Sequence, residues 1–172
     1  MTAMRPISAS GTPEARFKVV FAAHYPAVYG YAARRVGRDE AGDAAAETFT
    51  VAWRKVSSIP DEPETLPWLY GVARRVVANQ QRSRRRRERL GAKAAAQPPR
   101  AAPPADAGAG VLDALEALRP EDREILRLAA WEGLGPREIG TVLGCTPNAA
   151  AIRLHRARRR LQSAVDDTGG DA

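Results

Sequence analysis

Apolar residues recur along the chain at three- and four-residue steps, the period of a helix with one buried face, and show no strand-like alternation. Phe17, Val20, Phe21, His24, Val28 and Tyr31 trace one such face to about Val36. It is opened by Thr12-Pro13-Glu14, read as cap, first-turn proline and first-turn acid. Pro26 falls inside this run and is expected to kink or break it, because it removes a backbone donor. Gly37 ends the element and Asp39 is the expected cap of the next, whose stripe is Ala45, Phe49, Ala52, Trp53 and Val56. Residues 59–66, with two prolines and three acids, read as a loop. Pro67 then opens a third helix with Trp68, Leu69, Val72, Val76 and Val77 toward the core. Arg74, Arg75, Asn79 and Arg82 lie on another side, and the helix ends in RSRRRRER, a tip that suits either solvent or nucleic acid.

From 91 to 110 the chain turns to Ala, Pro and Gly with almost no large apolar residue, the composition of a flexible tether. Beyond it VLDALEAL, residues 111–118, starts a second helical unit. Three helical patterns follow, opened by Pro120, Pro136 and Pro147, and proline is favoured at a helix's first position. Gly144 is placed to end the second pattern and Thr146 to cap the third. A short helix, a tight turn and a longer helix make a helix-turn-helix outline. Ile139, Val142 and Leu143 share one face of the short helix; Ala150, Leu154, Ala157, Leu161 and Val165 form the stripe of the long one. The opposite face carries Asn148, Ile152, His155, Arg156 and Arg159, polar and cationic where a recognition helix would meet base edges, with Arg153, Arg158 and Arg160 flanking it for phosphates.

The expected architecture is therefore all-α: two small helical domains, 12–90 and 111–166, joined by the flexible linker 91–110. A disordered start occupies residues 1–11 and a short acidic tail residues 167–172.

Charge sharpens this picture. The 172 residues carry a formal net charge of +7, mostly through arginine, which favours an anionic partner such as nucleic acid. Cys145 is the only cysteine, so an internal disulfide and a multi-cysteine zinc site are excluded, and a small buried filler is its expected role. The two histidines, His24 and His155, lie far apart, and no metal or cofactor site is expected; His24 reads as a packed core residue. Asp43 and Glu47, four apart, form an acidic patch with no nucleophile or metal ligand beside it, so no catalytic set is assembled. The N-terminus lacks a signal-peptide pattern and no apolar run approaches spanning length, so a soluble, cytoplasmic protein without membrane insertion is expected.

Three N-terminal pieces, FAAHYPAVYGYAARRVG, DEAGDAAAETFTVAWRKV and LPWLYGVARRVVANQQR, resemble region 2 of extracytoplasmic-function (ECF) sigma factors. The C-terminal piece ALRPEDREILRLAAWEGLGPREIGTVLGCTPNAAAIRLHRARRRL resembles their region 4, in the family's order and spacing. The resemblance implies a non-enzymatic protein that binds core RNA polymerase and directs it to promoter DNA. It puts Asp43, Glu47 and Phe49 on or near the polymerase-binding surface. It gives the −10 element to the loop from about Lys55 to Pro67 and to Arg74, Arg75, Asn79 and Arg82. The −35 element falls to Asn148, Ile152, Arg153, His155, Arg156 and Arg159. It also implies an anti-sigma factor as a regulatory partner. Gly42, Ala46 and Ala151 depart from the family's pattern, which there favours an acid, a glutamine and a lysine. A free-standing regulator that binds an operator without polymerase is the alternative; no symmetric helix seam or ligand-pocket signature supports it.

Overall fold

A computed structural model describes residues 12–91 and 109–169, and these hold helices and turns with no strand among them. The expectations for residues 1–11, for 92–108 of the tether and for 170–172 lie outside the described residues. The chain divides into two compact units, with the division between Arg82 and Ser83.

In the first unit, α1 spans Pro13–Val36 and starts where expected, with the Thr12 hydroxyl accepting the Ala15 N–H at 3.3 Å. The Glu14 carboxyl is held below its ordinary value, first by a backbone hydrogen bond and then by Thr12, as befits an acid at a helix N-terminus. Pro26 does not break α1. Pro26 and Ala22, whose carbonyl loses its donor to the proline, are both exposed, so water can satisfy the freed oxygen. Gly37, at φ 88°, turns the chain directly into α2, Arg38–Arg54. Asp39 is not the cap: Gly37 takes that position, and Asp39 and Glu40 sit in the first turn, where the helix dipole favours acids.

A short 3-10 turn, Val56–Ser58, leads to α3, Thr65–Gly91. This helix begins two residues before Pro67, because the Trp68 N–H already reaches the Glu64 carbonyl at 3.1 Å and the Thr65 hydroxyl donates to the Pro60 carbonyl at 2.8 Å. Pro67 is then a first-turn proline, where a missing N–H costs little.

Alanines 41, 44, 45 and 52 are buried on α2, and their small side chains allow close approach to α1. Val28, Tyr31, Leu69, Val76 and Val77 fill the centre, each contributing about 1.5–3 kcal/mol through burial. Tyr31 stacks on Tyr70 at 5.2 Å and joins α1 to α3. The buried Arg35 guanidinium lies 3.4 Å from the Tyr31 ring centroid, a desolvated cation–π contact. Trp68 is half-buried rather than fully in the core, and Phe21 and Trp53 are about two-fifths exposed.

The second unit contains α4 (Ala109–Ala117), α5 (Pro120–Ala130), α6 (Pro136–Leu143) and α7 (Pro147–Gly169). Its core is Leu115, Ile125, Leu128, Leu134, Ile139 and Val142 with Ala150, Leu154 and Ala157 of α7. The Glu116 carboxylate accepts from Arg123 and Arg127 at 2.7 Å each, fastening α4 to α5. Helix α7 continues past Val165 to Gly169, into the segment expected as a tail. No helix among the described residues is long and apolar enough to cross a membrane.

Candidate nucleic-acid interfaces

The helix-turn-helix is built from backbone outward. The Gly135 N–H donates to the Glu138 carboxylate at 2.7 Å, satisfying an orphan donor at the start of α6. At its end Gly144 adopts the left-handed conformation, φ 68° and ψ 41°, and the Cys145 N–H reaches the Gly140 carbonyl at 2.9 Å. A Cβ at Gly140 would lie 2.7 Å from the Cys145 carbonyl oxygen, so this turn closes only over a glycine. The Thr146 hydroxyl accepts the Ala149 N–H at 3.2 Å and starts α7 as expected. Cys145 itself is half-exposed and not the buried filler expected of it, while its carbonyl oxygen lies against Gly140.

Burial of Ala150, Leu154 and Ala157 fixes the rotation of α7, with Leu161 and Val165 half-buried further along the same stripe. That rotation leaves Asn148, Ile152, Arg153, His155, Arg156 and Arg159 exposed together. Ile152 is an apolar residue 44% exposed in the middle of this polar face. Arg160 differs from its neighbours: its guanidinium donates to the nearly buried Asp122 carboxylate at 2.7 Å and is committed to the fold.

On α3, Arg75, Asn79 and Arg82 are exposed and share one face, with Arg74 half-buried beside them. Arg82 donates to the Asn79 side-chain carbonyl. The loop before α3 is pinned to α1. Arg16 donates to the Ile59 carbonyl and, at 3.1 Å, to Asp61, while His24 Nε2 lies 2.7 Å from the Glu62 carboxylate. His24 is thus a largely buried residue whose polar edge holds the loop. Neither loop partner was legible in the sequence, since each pair is separated by about forty residues and no helical period connects them.

Asp43 and Glu47 are both exposed on α2, and Glu47 accepts from Gln80 of α3 at 3.2 Å. Phe49 is not on that surface. It is 3% exposed, its ring 4.8 Å from Phe21 and 6.3 Å from Phe17, both edge-on, so it supports α2 from beneath. The aromatic edge reaching solvent there belongs instead to Phe21 and to Trp53, whose ring lies 5.2 Å from Phe17.

Comparison with known proteins matches these two units to two family models: sigma-70 region 2 over residues 20–87 and sigma-70 region 4 over residues 109–161. RNA polymerase sigma factor CarQ of Myxococcus xanthus is 30% identical over 156 residues, covering 88% of this chain and 90% of CarQ. The chain belongs to the ECF sigma factors. SigL, the ECF sigma factor of Mycobacterium tuberculosis, is 27% identical over 168 residues and is covered over 95% of its length. Among solved structures, the Bartonella quintana sigma factor RpoE, captured with the anti-sigma factor NepR, superposes with a TM-score of 0.66. It is 25% identical, and the match covers 91% of this chain and 98% of RpoE. As an ECF sigma factor the protein binds core RNA polymerase and directs promoter-specific initiation, recognising −10 and −35 elements. Sigma factors are DNA-binding regulatory proteins.

Proposed function

We propose that this sigma factor divides its work between residues 12–90, which bind the polymerase and the −10 element, and residues 111–166, which bind the −35 element, with 91–110 as the tether between. The observation that carries the reading is the pair of exposed cationic helix faces, one in each unit and each backed by a buried apolar stripe.

On α7, Arg156 supplies two donors that suit guanine O6 and N7, Asn148 a donor and an acceptor that suit adenine N7 and N6, Ile152 suits a thymine methyl, and His155 completes the base-edge row. Arg153 and Arg159 flank that row and suit phosphates, which set register without reading sequence. On the first unit, the loop up to Pro67 holds a flipped −10 base. Flipping costs a few kcal/mol of stacking, offset by pocket contacts, and a loop already fastened by Arg16 and His24 loses little entropy on binding. Arg74, Arg75, Asn79 and Arg82 hold the adjoining backbone.

Asp43 and Glu47 meet cationic side chains of the polymerase, with Phe49 setting the rigidity of the helix beneath them. Ala46 and Gly42 leave this contact with fewer polar groups than the family's pattern has. The protein acts without catalysis, in the cytoplasm beside polymerase and chromosome. An anti-sigma factor is its regulatory partner, a reading supported by the solved complex of the sigma factor RpoE with the anti-sigma factor NepR.

Reversing both charges, Asp43→Arg with Glu47→Arg, tests the assignment. Both side chains are exposed, so melting should hardly change, while affinity for core polymerase should fall about tenfold or more (about 1.4 kcal/mol). Unchanged core affinity would remove these two carboxylates from the interface.

A further inference from the structure

Three acids, Asp61, Glu62 and Glu64, stand within residues 59–65, the loop assigned above to a flipped −10 base. Acids repel the phosphates of an approaching strand, so this composition does not by itself favour a DNA contact. What the structure adds is the way the loop is held, wholly within the first unit. Ile59 is buried at its start, and the buried Thr65 closes its end on the Pro60 carbonyl. Between these anchors α1 supplies two further ties: Arg16 to the Ile59 carbonyl and to Asp61, and His24 to Glu62.

Arg16, Val20 and His24 recur at four-residue steps, so both ties come from one face of α1, with the buried Val20 between them. Eight residues of helix separate the ties by about 12 Å. The three residue steps from Ile59 to Glu62 reach about 10 Å at full stretch. The segment is therefore laid lengthwise along α1, with little slack. Stability does not account for the arrangement. The Asp61 side chain is 97% exposed and that of Glu62 63%, and ion pairs so exposed add little to a fold. A tie that adds little to the fold can still decide where a short loop stands.

We propose that Arg16 and His24 are positioning residues for −10 recognition, holding residues 59–62 in the one placement that receives the flipped base. The inference rests on the −10 reading of this loop. Both residues act through the loop rather than on DNA, by removing beforehand the freedom that capture of the base would otherwise have to remove.

The test uses holoenzyme and a single strand carrying the −10 element of a start site that the wild-type chain specifies, with each base replaced in turn by an abasic site. The position of greatest loss marks the flipped base, and its base-to-abasic affinity ratio reads the pocket. That ratio should fall about threefold to tenfold in R16A/H24F, the coupling expected within one network. It should fall alike in D61A/E62A, which cuts the same ties from exposed loop positions and leaves α1 intact. R16K/H24Q, which keeps a donor at both positions, should retain it. Affinity for core polymerase should not change in D61A/E62A. An unchanged ratio in D61A/E62A overturns the proposal while leaving the −10 reading in place. So does an equal loss on intact and abasic strands, the mark of a merely structural or charge effect. If no position is sensitive in the wild type, the −10 reading of the loop fails and takes the proposal with it.

Discussion

A methyl group at position 140 would lie 2.7 Å from the Cys145 carbonyl oxygen and 3.4 Å from the Pro147 nitrogen, both backbone atoms that cannot swing away. Gly140→Ala should therefore destabilise the second unit by about 1–3 kcal/mol, the usual range for overpacking, read as a lower urea midpoint. An unaltered midpoint would mean the turn opens freely. The sequence shows Gly144 plainly, since a glycine just past a helical run is a stop signal. Gly140 sits inside such a run, and its requirement arises only when the next turn folds back on it. The pairs Arg16–Asp61, His24–Glu62 and Arg160–Asp122 escaped for the same reason, each joining residues 38 or more apart with no period to reveal them. Burial of Phe49 was legible as a stripe position. Its absence from the surface follows from Phe17 and Phe21 closing over it.

Among the elements, α7 shows most clearly how a stripe assigns the opposite face. Once Ala150, Leu154 and Ala157 are buried, the residues left exposed on the opposite face are fixed. Two arginines four apart on this helix should then behave oppositely. Arg156→Ala should cost about 1–3 kcal/mol in upstream-element recognition with little change in stability. Arg160→Ala should cost about 1–3 kcal/mol in stability, because it leaves the Asp122 carboxylate largely buried without its partner. Promoter competition and thermal melting of both variants check the pair, and an Arg156→Ala protein with unaltered promoter preference would contradict the α7 assignment. Helix existence was legible throughout, from period, caps and first-turn prolines. Three starts were displaced: Gly37 can itself take the cap position ahead of Asp39, Thr65 finds a partner in the loop that lets α3 begin before Pro67, and α4 begins at Ala109, inside the expected tether.

For the whole molecule, two compact helical units match region 2 and region 4 models in order. The all-α class and the two-part organisation were readable from periodicity and from the composition of residues 91–110. Membership of the sigma factors needed the series of motifs taken together, since a basic helix-turn-helix alone fits a free-standing regulator equally well. A regulator would bind its operator by itself, whereas a sigma factor acts through core polymerase. The decisive measurement is therefore transcription in vitro by purified core RNA polymerase on fragmented genomic DNA from the source organism, with and without this protein. Discrete new start sites that require the protein, preceded by a shared pair of upstream motifs, are the predicted result. No new start sites, together with sequence-specific footprints left by the protein alone, would contradict the account.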